Sequence, residues 1–143
     1  MRNVQTVQAI YEAFGRGDVP AILDLMSESV VWEEWEGANG GQDAGVPWLV
    51  RRSGKDGVAE FFEVLAETLE VHSFQPVNLL EGGNQVAATI SIDGTATKTG
   101  ERFQDEEIHL WTFDEAGKVS GMRHYSDTAK HIKAATGSPA GVT

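Results

Sequence analysis

Cysteine is absent from the sequence, and its absence removes several kinds of chemistry. The chain can form no disulfide framework, no thiolate nucleophile and no cysteine-based metal site. No apolar run approaches the roughly 20 residues that span a bilayer. The N-terminal stretch MRNVQTVQAIYEAF also lacks the continuous apolar core of a signal peptide. We therefore expect a cytoplasmic protein.

Basic residues are scarce as well. Lysine and arginine number 11 against 22 aspartates and glutamates, which gives a net charge of −11. Such a surface repels nucleic-acid phosphates and anionic lipid headgroups, so we expect no nucleic-acid partner and no membrane partner. The simplest role of the acidic excess is to keep the protein soluble.

The chain has 143 residues, of which 41% are hydrophobic, and this suffices for one domain with its own core. Apolar periodicity, turn residues and β-branched runs predict helices and one strand in its first half. The predicted elements are a helix carrying Val4, Val7, Ile10, Tyr11 and Phe14; a short helix capped by Asp18 and reaching Met26; a strand from Ser29 to Trp35; an irregular stretch from Gly37 to Ser53; and a helix from Gly54 to Leu69.

The second half predicts four strands joined by the hairpin turns EGGN, KTGE and DEAG. They run from Val71 to Leu80, from Gln85 to Thr97, from Arg102 to Phe113 and from Val119 to Ser126. Helices segregated from such strands predict an α+β domain over residues 1–133, followed by a flexible tail over residues 134–143. We expect a curved, mostly antiparallel sheet that wraps around three N-terminal helices and leaves a cone-shaped cavity.

Two stretches carry a resemblance to a known family. YEAFGRGDVPAILDLMSESVVWE near the start and HLWTFDEAGKVSGMRHYSD near the end resemble the SnoaL-like polyketide cyclases. Their superfamily includes ketosteroid isomerase, limonene epoxide hydrolase and nuclear transport factor two, and the resemblance covers about Val4 to Lys133. The motifs are specific to the fold and poorly specific to the reaction, because this superfamily hosts enzymes, binders and scaffolds.

The resemblance implies which residues face the cavity. MRHYSD is similar to the last strand of the epoxide hydrolases, which implies that Met122, His124 and Ser126 face inward. His109 matches the oxyanion-hole aspartate of ketosteroid isomerase, and Glu33 matches its general base. Glu107 and Trp111 share the face of His109.

The sequence also departs from its relatives. The oxyanion-hole tyrosine of the isomerase aligns near Ile10, the second tyrosine of that network aligns with Phe62, and the hydrolase's last-strand acid is replaced by His124. Neither activity is therefore implied for this chain. In the cyclases a histidine on the penultimate strand pairs with an acid on the last strand, and here only the histidine, His109, is kept.

Glu33, His109 and His124 are the candidate catalytic residues. Histidine titrates near neutral pH, and an apolar cavity raises the pKa of a carboxyl toward that range, so these groups suit acid–base work. The alternative is that they only bond to each other or to water in an unused cavity. The candidate ligand-pocket residues are Trp35, Trp48, Phe62, Glu107, Trp111, Met122 and Ser126, for which core packing is the alternative.

The opposite face of the last strand carries Arg123, Tyr125 and Asp127. Relatives commonly dimerise through their outer sheet face, which implies a homodimer here. The histidine spacings match no metal-ligand motif and no phosphate-cradling glycine loop is present, so we expect neither a metal nor another cofactor.

These observations favour a protein that binds a small, largely apolar molecule, as a cofactor-free acid–base enzyme of isomerase, cyclase or hydratase type. A non-catalytic binding or sensor domain is the alternative. A third possibility is a dimeric interaction scaffold, which the acidic surface does not favour.

Overall fold

The computed structural model describes residues 2–37 and 39–138. The helices are α1 (Asn3–Gly15), α2 (Val19–Leu23), α3 (Gly40–Asp43), α4 (Gly54–Thr68) and α5 (Thr128–Thr136), with a short 3₁₀ helix at Pro47–Leu49. The strands are β1 (Met26–Trp32), β2 (Arg52–Ser53), β3 (Leu69–Gly82), β4 (Gln85–Ala96), β5 (Arg102–Phe113) and β6 (Val119–Tyr125).

One six-stranded sheet organises the chain, in the order β2-β1-β6-β5-β4-β3. β1 and β6 run parallel, whereas every other neighbouring pair is antiparallel. The sheet is curved and open, with the helices against its concave side. The predicted α+β fold with a mostly antiparallel sheet is confirmed.

The long helices fill the concavity of the sheet with apolar side chains. Val7 and Ile10 of α1 and Val58 of α4 are each at most 2% exposed, and they pack against the inner faces of the strands. Asp18 caps α2 as predicted, because its carboxylate accepts a hydrogen bond from the backbone N–H of Ala21. This core holds the sheet and the helices at a fixed distance around the cavity.

The outer edge of the sheet is β3, which pairs only with β4 among the described strands. Pro76 lies within β3, and the pairing register shifts near it. Proline has no N–H for a ladder hydrogen bond and is therefore confined to edges and bulges, so Pro76 is consistent with this edge position. Most of β3 is consequently exposed.

β1 begins and ends earlier in the chain than the sequence prediction, which placed it from Ser29 to Trp35. Met26 was predicted to end the second helix, but it begins β1, and β1 ends at Trp32 rather than Trp35. The strand stops because Glu33 adopts a left-handed backbone conformation with φ of 61°, which turns the chain away from the sheet. The irregular stretch after it contains α3, the 3₁₀ helix and β2.

The C-terminal segment forms more structure than one helical turn. The predicted domain boundary at residue 133 falls inside α5, which continues to Thr136 and buries Ala134. The end of the predicted tail, residues 139–143, lies outside the described residues. None of the helices that the structure describes is long and apolar enough to cross a membrane.

Candidate functional site

A cavity lies between the concave face of the sheet and the helices α1 and α4. The space open to the centre of a water-sized sphere is about 60 Å³, which is room for a few water molecules or a small organic group. Its walls are mainly aromatic, with polar groups from β5, β6 and α5. The main aromatic residues are Tyr11, Trp32, Phe61, Phe62, Phe74 and Trp111.

The cavity is most open between α1, α4 and β3. The residues of its lining on this side are half-buried, whereas those on the far side are buried. Trp48 is only 3% exposed and forms part of the far wall. The half-buried, entirely apolar residues at the open side are Phe14, Phe62, Leu65, Val71 and Phe74.

Polar residues interrupt the apolar inner face of β5. Alternate residues of this strand point inward, and the inward series runs Phe103, Asp105, Glu107, His109 and Trp111. Asp105, Glu107 and His109 are each at most 5% exposed. Buried ionisable groups are costly unless they are paired, so three in succession indicate a polar site inside the cone.

Glu33 and His124 form a hydrogen-bonded pair at one end of this site. Glu33 Oε1 accepts from the backbone N–H of His124 at 2.7 Å and lies 2.6 Å from His124 Nδ1. Because a carboxylate can only accept, Nδ1 carries the proton and Nε2 is the basic nitrogen. Nε2 has no hydrogen-bond partner among the described residues, while His124 lines the cavity. Burial lowers the pKa of His124, but the charge and hydrogen bond of Glu33 outweigh it and raise that pKa above its ordinary value.

The bent backbone at Glu33 fixes this carboxylate. The N–H of Glu33 donates to the carbonyl of Met122, and its own carbonyl accepts from the side chain of Gln42. Glu33 Oε2 accepts from the indole N–H of Trp35 at 2.9 Å. The backbone contacts and the bond from Trp35 therefore fix the position of the Glu33 carboxylate. Its other oxygen, Oε1, is the one that accepts from His124.

A second chain of hydrogen bonds runs through His109. The indole N–H of Trp111 donates to the Tyr11 hydroxyl at 3.0 Å, and that hydroxyl lies 2.7 Å from His109 Nδ1. His109 Nε2 lies 3.0 Å from Glu107 Oε1. These contacts are all satisfied when a neutral His109 accepts from Tyr11 and donates to an ionised Glu107.

The pKa directions agree with this arrangement. Burial and the neighbouring His124 lower the pKa of His109, against the opposing effect of Glu107. Burial alone would raise the pKa of Glu107, but the hydrogen bond from His109 and the nearby imidazoles bring it well below its usual value. Burial, with Glu107 nearby, raises the pKa of Tyr11 despite the hydrogen bond from Trp111. Tyr11 therefore stays protonated.

His131 brings α5 into the site. Its Nδ1 accepts from the indole N–H of Trp48 at 2.9 Å, and an indole nitrogen can only donate. His131 is thus neutral with its proton on Nε2, which lies 2.8 Å from Asp105 Oδ2 and 3.5 Å from Glu107 Oε2. Glu107 is therefore flanked by two histidines, one from β5 and one from α5.

Most of the predicted site residues lie together. Glu33 itself stands behind His124 and outside the lining. The roles of the predicted site residues in binding or catalysis remain predictions. The predicted residues that line the cavity are Trp48, Phe62, Glu107, His109, Trp111, Met122 and His124.

Two predicted pocket residues, Trp35 and Ser126, are not part of the lining. Trp35 follows the end of β1, and its ring packs 5.0 Å from Tyr125 and 4.9 Å from the Arg123 guanidinium, among outer-face residues. Ser126 lies one residue beyond the end of β6, where strand alternation no longer applies. Both residues were predicted to face the cavity. Both lie beyond the last residue of their strand, so the alternation of side chains does not apply to them.

Several lining or network residues were not identified as site residues from the sequence, among them Tyr11, Trp32, Asp105 and His131. Asp105 has the same strand parity as Glu107 and His109, so that signal was present in the sequence. Tyr11 stood among the apolar positions of the first helix. Trp32 is 2% exposed, and its indole N–H has no acceptor among the described residues. His131 had no sequence signal, because only the fold brings α5 to β5.

Within the part of the chain that the structure describes, two groups of side chains have the spacing to hold a metal ion. Glu107, His109 and His124 form one, and Asp105, Glu107 and His131 form the other, with ligand atoms within 4.8 Å of one another in each. Both groups share Glu107, whose Oε2 is buried without a hydrogen-bond partner among the described residues.

The solved structures that are similar to this chain share its fold. An NTF2-like protein of Burkholderia pseudomallei superposes with a TM-score of 0.77 at 27% identity, covering 95% of this chain and 99% of that one. An NTF2-like protein of Burkholderia thailandensis superposes with a TM-score of 0.77 at 26% identity, covering 94% of this chain and 98% of that one. TerC, crystallised with polyporic acid, gives 0.72 at 22% identity over 92% and 96%, which is evidence of fold alone.

Comparison at the sequence level supports the same assignment. No curated protein matches the chain. The family model of the SnoaL-like domain matches residues 7–122, which include the cavity walls from α1 to β6 and end before His124 and α5. This chain belongs to the SnoaL-like domain family.

Proposed function

We propose that this protein is an acid–base enzyme that moves a proton on a small, largely apolar carbonyl compound. One observation carries the proposal: His124 is backed by the Glu33 carboxylate and directs a free Nε2 to an apolar cavity. A histidine oriented by a carboxylate on one nitrogen is a general base on the other. The match to the SnoaL-like domain family supports the fold that places His124 in the wall of the cavity.

In the proposed reaction, His124 Nε2 takes a proton from the carbon next to the carbonyl. The electrons of the broken C–H bond form the enolate, whose negative charge develops on the carbonyl oxygen. Return of the proton from His124 to another carbon gives an isomer. Alternatively, attack of the enolate carbon on a second carbonyl closes a ring, and the alkoxide formed from that carbonyl takes the proton back from His124. The Glu33 carboxylate stabilises the imidazolium that forms in between.

The donor to the enolate oxygen is the Tyr11 hydroxyl in this proposal. His109 was expected to fill that role, but both its ring nitrogens are engaged, by Tyr11 and by Glu107. The Tyr11 hydroxyl lies in a wall of the cavity and is oriented by the indole N–H of Trp111. In the free protein the single Tyr11 proton is directed at His109 Nδ1, so this role requires the O–H to rotate from His109 to the enolate oxygen when the substrate binds.

The cavity restricts the substrate. Its free space of about 60 Å³ admits only a small group beside His124, and the apolar residues at the open side favour an apolar remainder. A larger substrate requires movement of the half-buried side chains at the mouth.

Hydrogen–deuterium exchange tests the proposal without a known pathway. Small apolar ketones are incubated with the EDTA-treated protein in D₂O, and α-deuteration is followed by mass spectrometry. We expect exchange above the buffer rate, reduced about 100-fold or more in His124→Gln. The matched control is His72→Gln on exposed β3, which should retain the exchange. Thermal stabilisation by a ketone without any exchange would instead favour a non-catalytic binding domain.

A further inference from the structure

We propose that Glu107, His109 and His124 form a binding site for one divalent transition-metal ion, with Zn²⁺ as the probe. Each residue offers one ligand atom, and the three atoms lie within 4.8 Å of one another. Glu107 and His109 are each at most 5% exposed, and the side chain of His124 is 9% exposed. The inference goes beyond the proposed function and does not depend on it.

The ligands are held by the sheet itself. Glu107 and His109 are two residues apart on the inward face of β5, and His124 on β6 is the direct register partner of His109. His109 Nε2 and Glu107 Oε1 are 3.0 Å apart. Two ligand atoms of one zinc ion lie roughly 3 to 3.5 Å apart, so this edge of the site needs little adjustment.

Every proposed ligand already has an outer partner. Glu33 accepts from the Nδ1–H of His124, which leaves Nε2 of His124 for an ion. His109 Nε2 faces Glu107 Oε1 in the metal-free protein and becomes a ligand when its proton moves to Nδ1, beside the Tyr11 oxygen. His131 Nε2 lies 3.5 Å from Glu107 Oε2, the carboxylate oxygen that is buried without a hydrogen-bond partner. Metal-binding histidines characteristically donate their second N–H to a carboxylate or another oxygen, as His124 does to Glu33 and as His109 would to the Tyr11 oxygen once its proton lies on Nδ1.

The charge of the surroundings also favours a cation. Three buried carboxylates, those of Glu33, Asp105 and Glu107, meet three histidines. Within residues 2–37 and 39–138, no lysine or arginine forms an ion pair with them. A divalent ion would therefore meet carboxylates that no lysine or arginine of the described residues pairs with.

The neighbouring group of Asp105, Glu107 and His131 is a poorer site. An ion on His131 Nε2 requires the proton on Nδ1, but Nδ1 faces the indole N–H of Trp48 at 2.9 Å. Two N–H groups would then point at each other. The hydrogen bond from Trp48 therefore favours the site formed by Glu107, His109 and His124. His131 would lie next to Glu107 without binding the ion.

Two imidazoles and one carboxylate define the class of ion. This set binds zinc in hydrolytic sites and iron(II) in oxygenases, in both cases with further positions open. Here the positions not taken by protein face the apolar cavity. Occupation by a metal removes Nε2 of His124 as a free base, so Zn²⁺ should inhibit any proton transfer that this residue performs.

Calorimetry on the EDTA-treated full chain tests the site with Zn²⁺ alone. We expect one ion per chain, with a Kd of about 1 μM or tighter. Glu107→Gln, which alters a ligand, should weaken binding about 100-fold. Tyr11→Phe, which removes the partner of His109 Nδ1, should weaken it roughly 10-fold. His72→Gln, the matched control at a surface histidine, should bind as the wild type does.

The Co²⁺ spectrum of the wild-type protein provides a measurement that does not depend on a variant folding. Intense visible d–d bands that vanish on addition of one equivalent of Zn²⁺ would support a site of low coordination number. Binding weaker than about 1 mM would overturn the site. Equal loss of binding in His72→Gln would also overturn it, because the ion would then lie at the surface. Since neither readout uses turnover, failure here leaves the ketone-exchange result to stand or fall separately.

Discussion

His109 and His124 face each other across β5 and β6, with ring centroids 4.5 Å apart and ring planes at 75°. They are held by different carboxylates, His109 by Glu107 and His124 by Glu33. Burial and the neighbouring His124 lower the pKa of His109 despite Glu107, whereas Glu33 outweighs burial and raises the pKa of His124. Two imidazoles in contact thus differ in how readily they take up a proton, which separates a hydrogen-bonding role from a basic one.

Replacement of Glu33 by glutamine should lower the pKa of His124 in the metal-free protein. The amide keeps the shape of the side chain but removes the negative charge that favours the imidazolium. NMR titration of the histidine rings measures this shift. Any exchange activity should fall as the pH drops through the pKa of His124, and in Glu33→Gln that fall should occur at lower pH. An unchanged titration curve for His124 would contradict the pairing.

Tyr11→Phe should reduce the ketone exchange about 100-fold, if the hydroxyl supplies the hydrogen bond to the developing oxyanion. The free energy of unfolding should also fall by about 1–3 kcal/mol, because Trp111 and His109 each lose a buried partner. Urea denaturation measures the second effect. Tyr125→Phe is the control, since that side chain is 42% exposed on the outer face and should change neither quantity.

Trp48→Phe should destabilise the protein by about 1–3 kcal/mol, because His131 Nδ1 loses its buried donor. The ring that remains still stacks near Phe103, so packing is largely retained. Thermal and urea unfolding measure the change. The NMR tautomer of His131 gives a specific readout, since Nδ1 is no longer restricted to accepting. A stability and a tautomer equal to those of wild type would contradict the network.

The predicted homodimer through the outer sheet face has a simple test. Ile108 and Tyr125 are direct cross-strand neighbours there and are 40% and 42% exposed. Ile108→Glu should convert a dimer to a monomer in light scattering, because it adds charge to an apolar patch of an already acidic protein. Val77→Glu on the edge strand β3, where Val77 is 63% exposed, is the matched control and should leave the state unchanged.

Strand periodicity allowed much of the site to be predicted from sequence. The inward face of β5 and the parity of His124 follow from alternation once the strands are identified, and both agree with the structure. Trp35 was misplaced because the left-handed backbone at Glu33 ends β1 early, and glutamate is not a residue that signals this conformation. The contact of His131 with Asp105 spans 26 residues and depends on how α5 docks, which no local pattern encodes.

The concentration of Asp105, Glu107 and His109 on one strand makes the chemistry of the cone depend on a single hydrogen-bond register. A slip of one residue in the pairing of β5 with β4 would reverse the faces of β5. Gln104, Glu106, Ile108 and Leu110 would then point inward, and the acids and the imidazole would meet solvent. The pairing register of β5 is thus as much a determinant of the site as the identity of its residues.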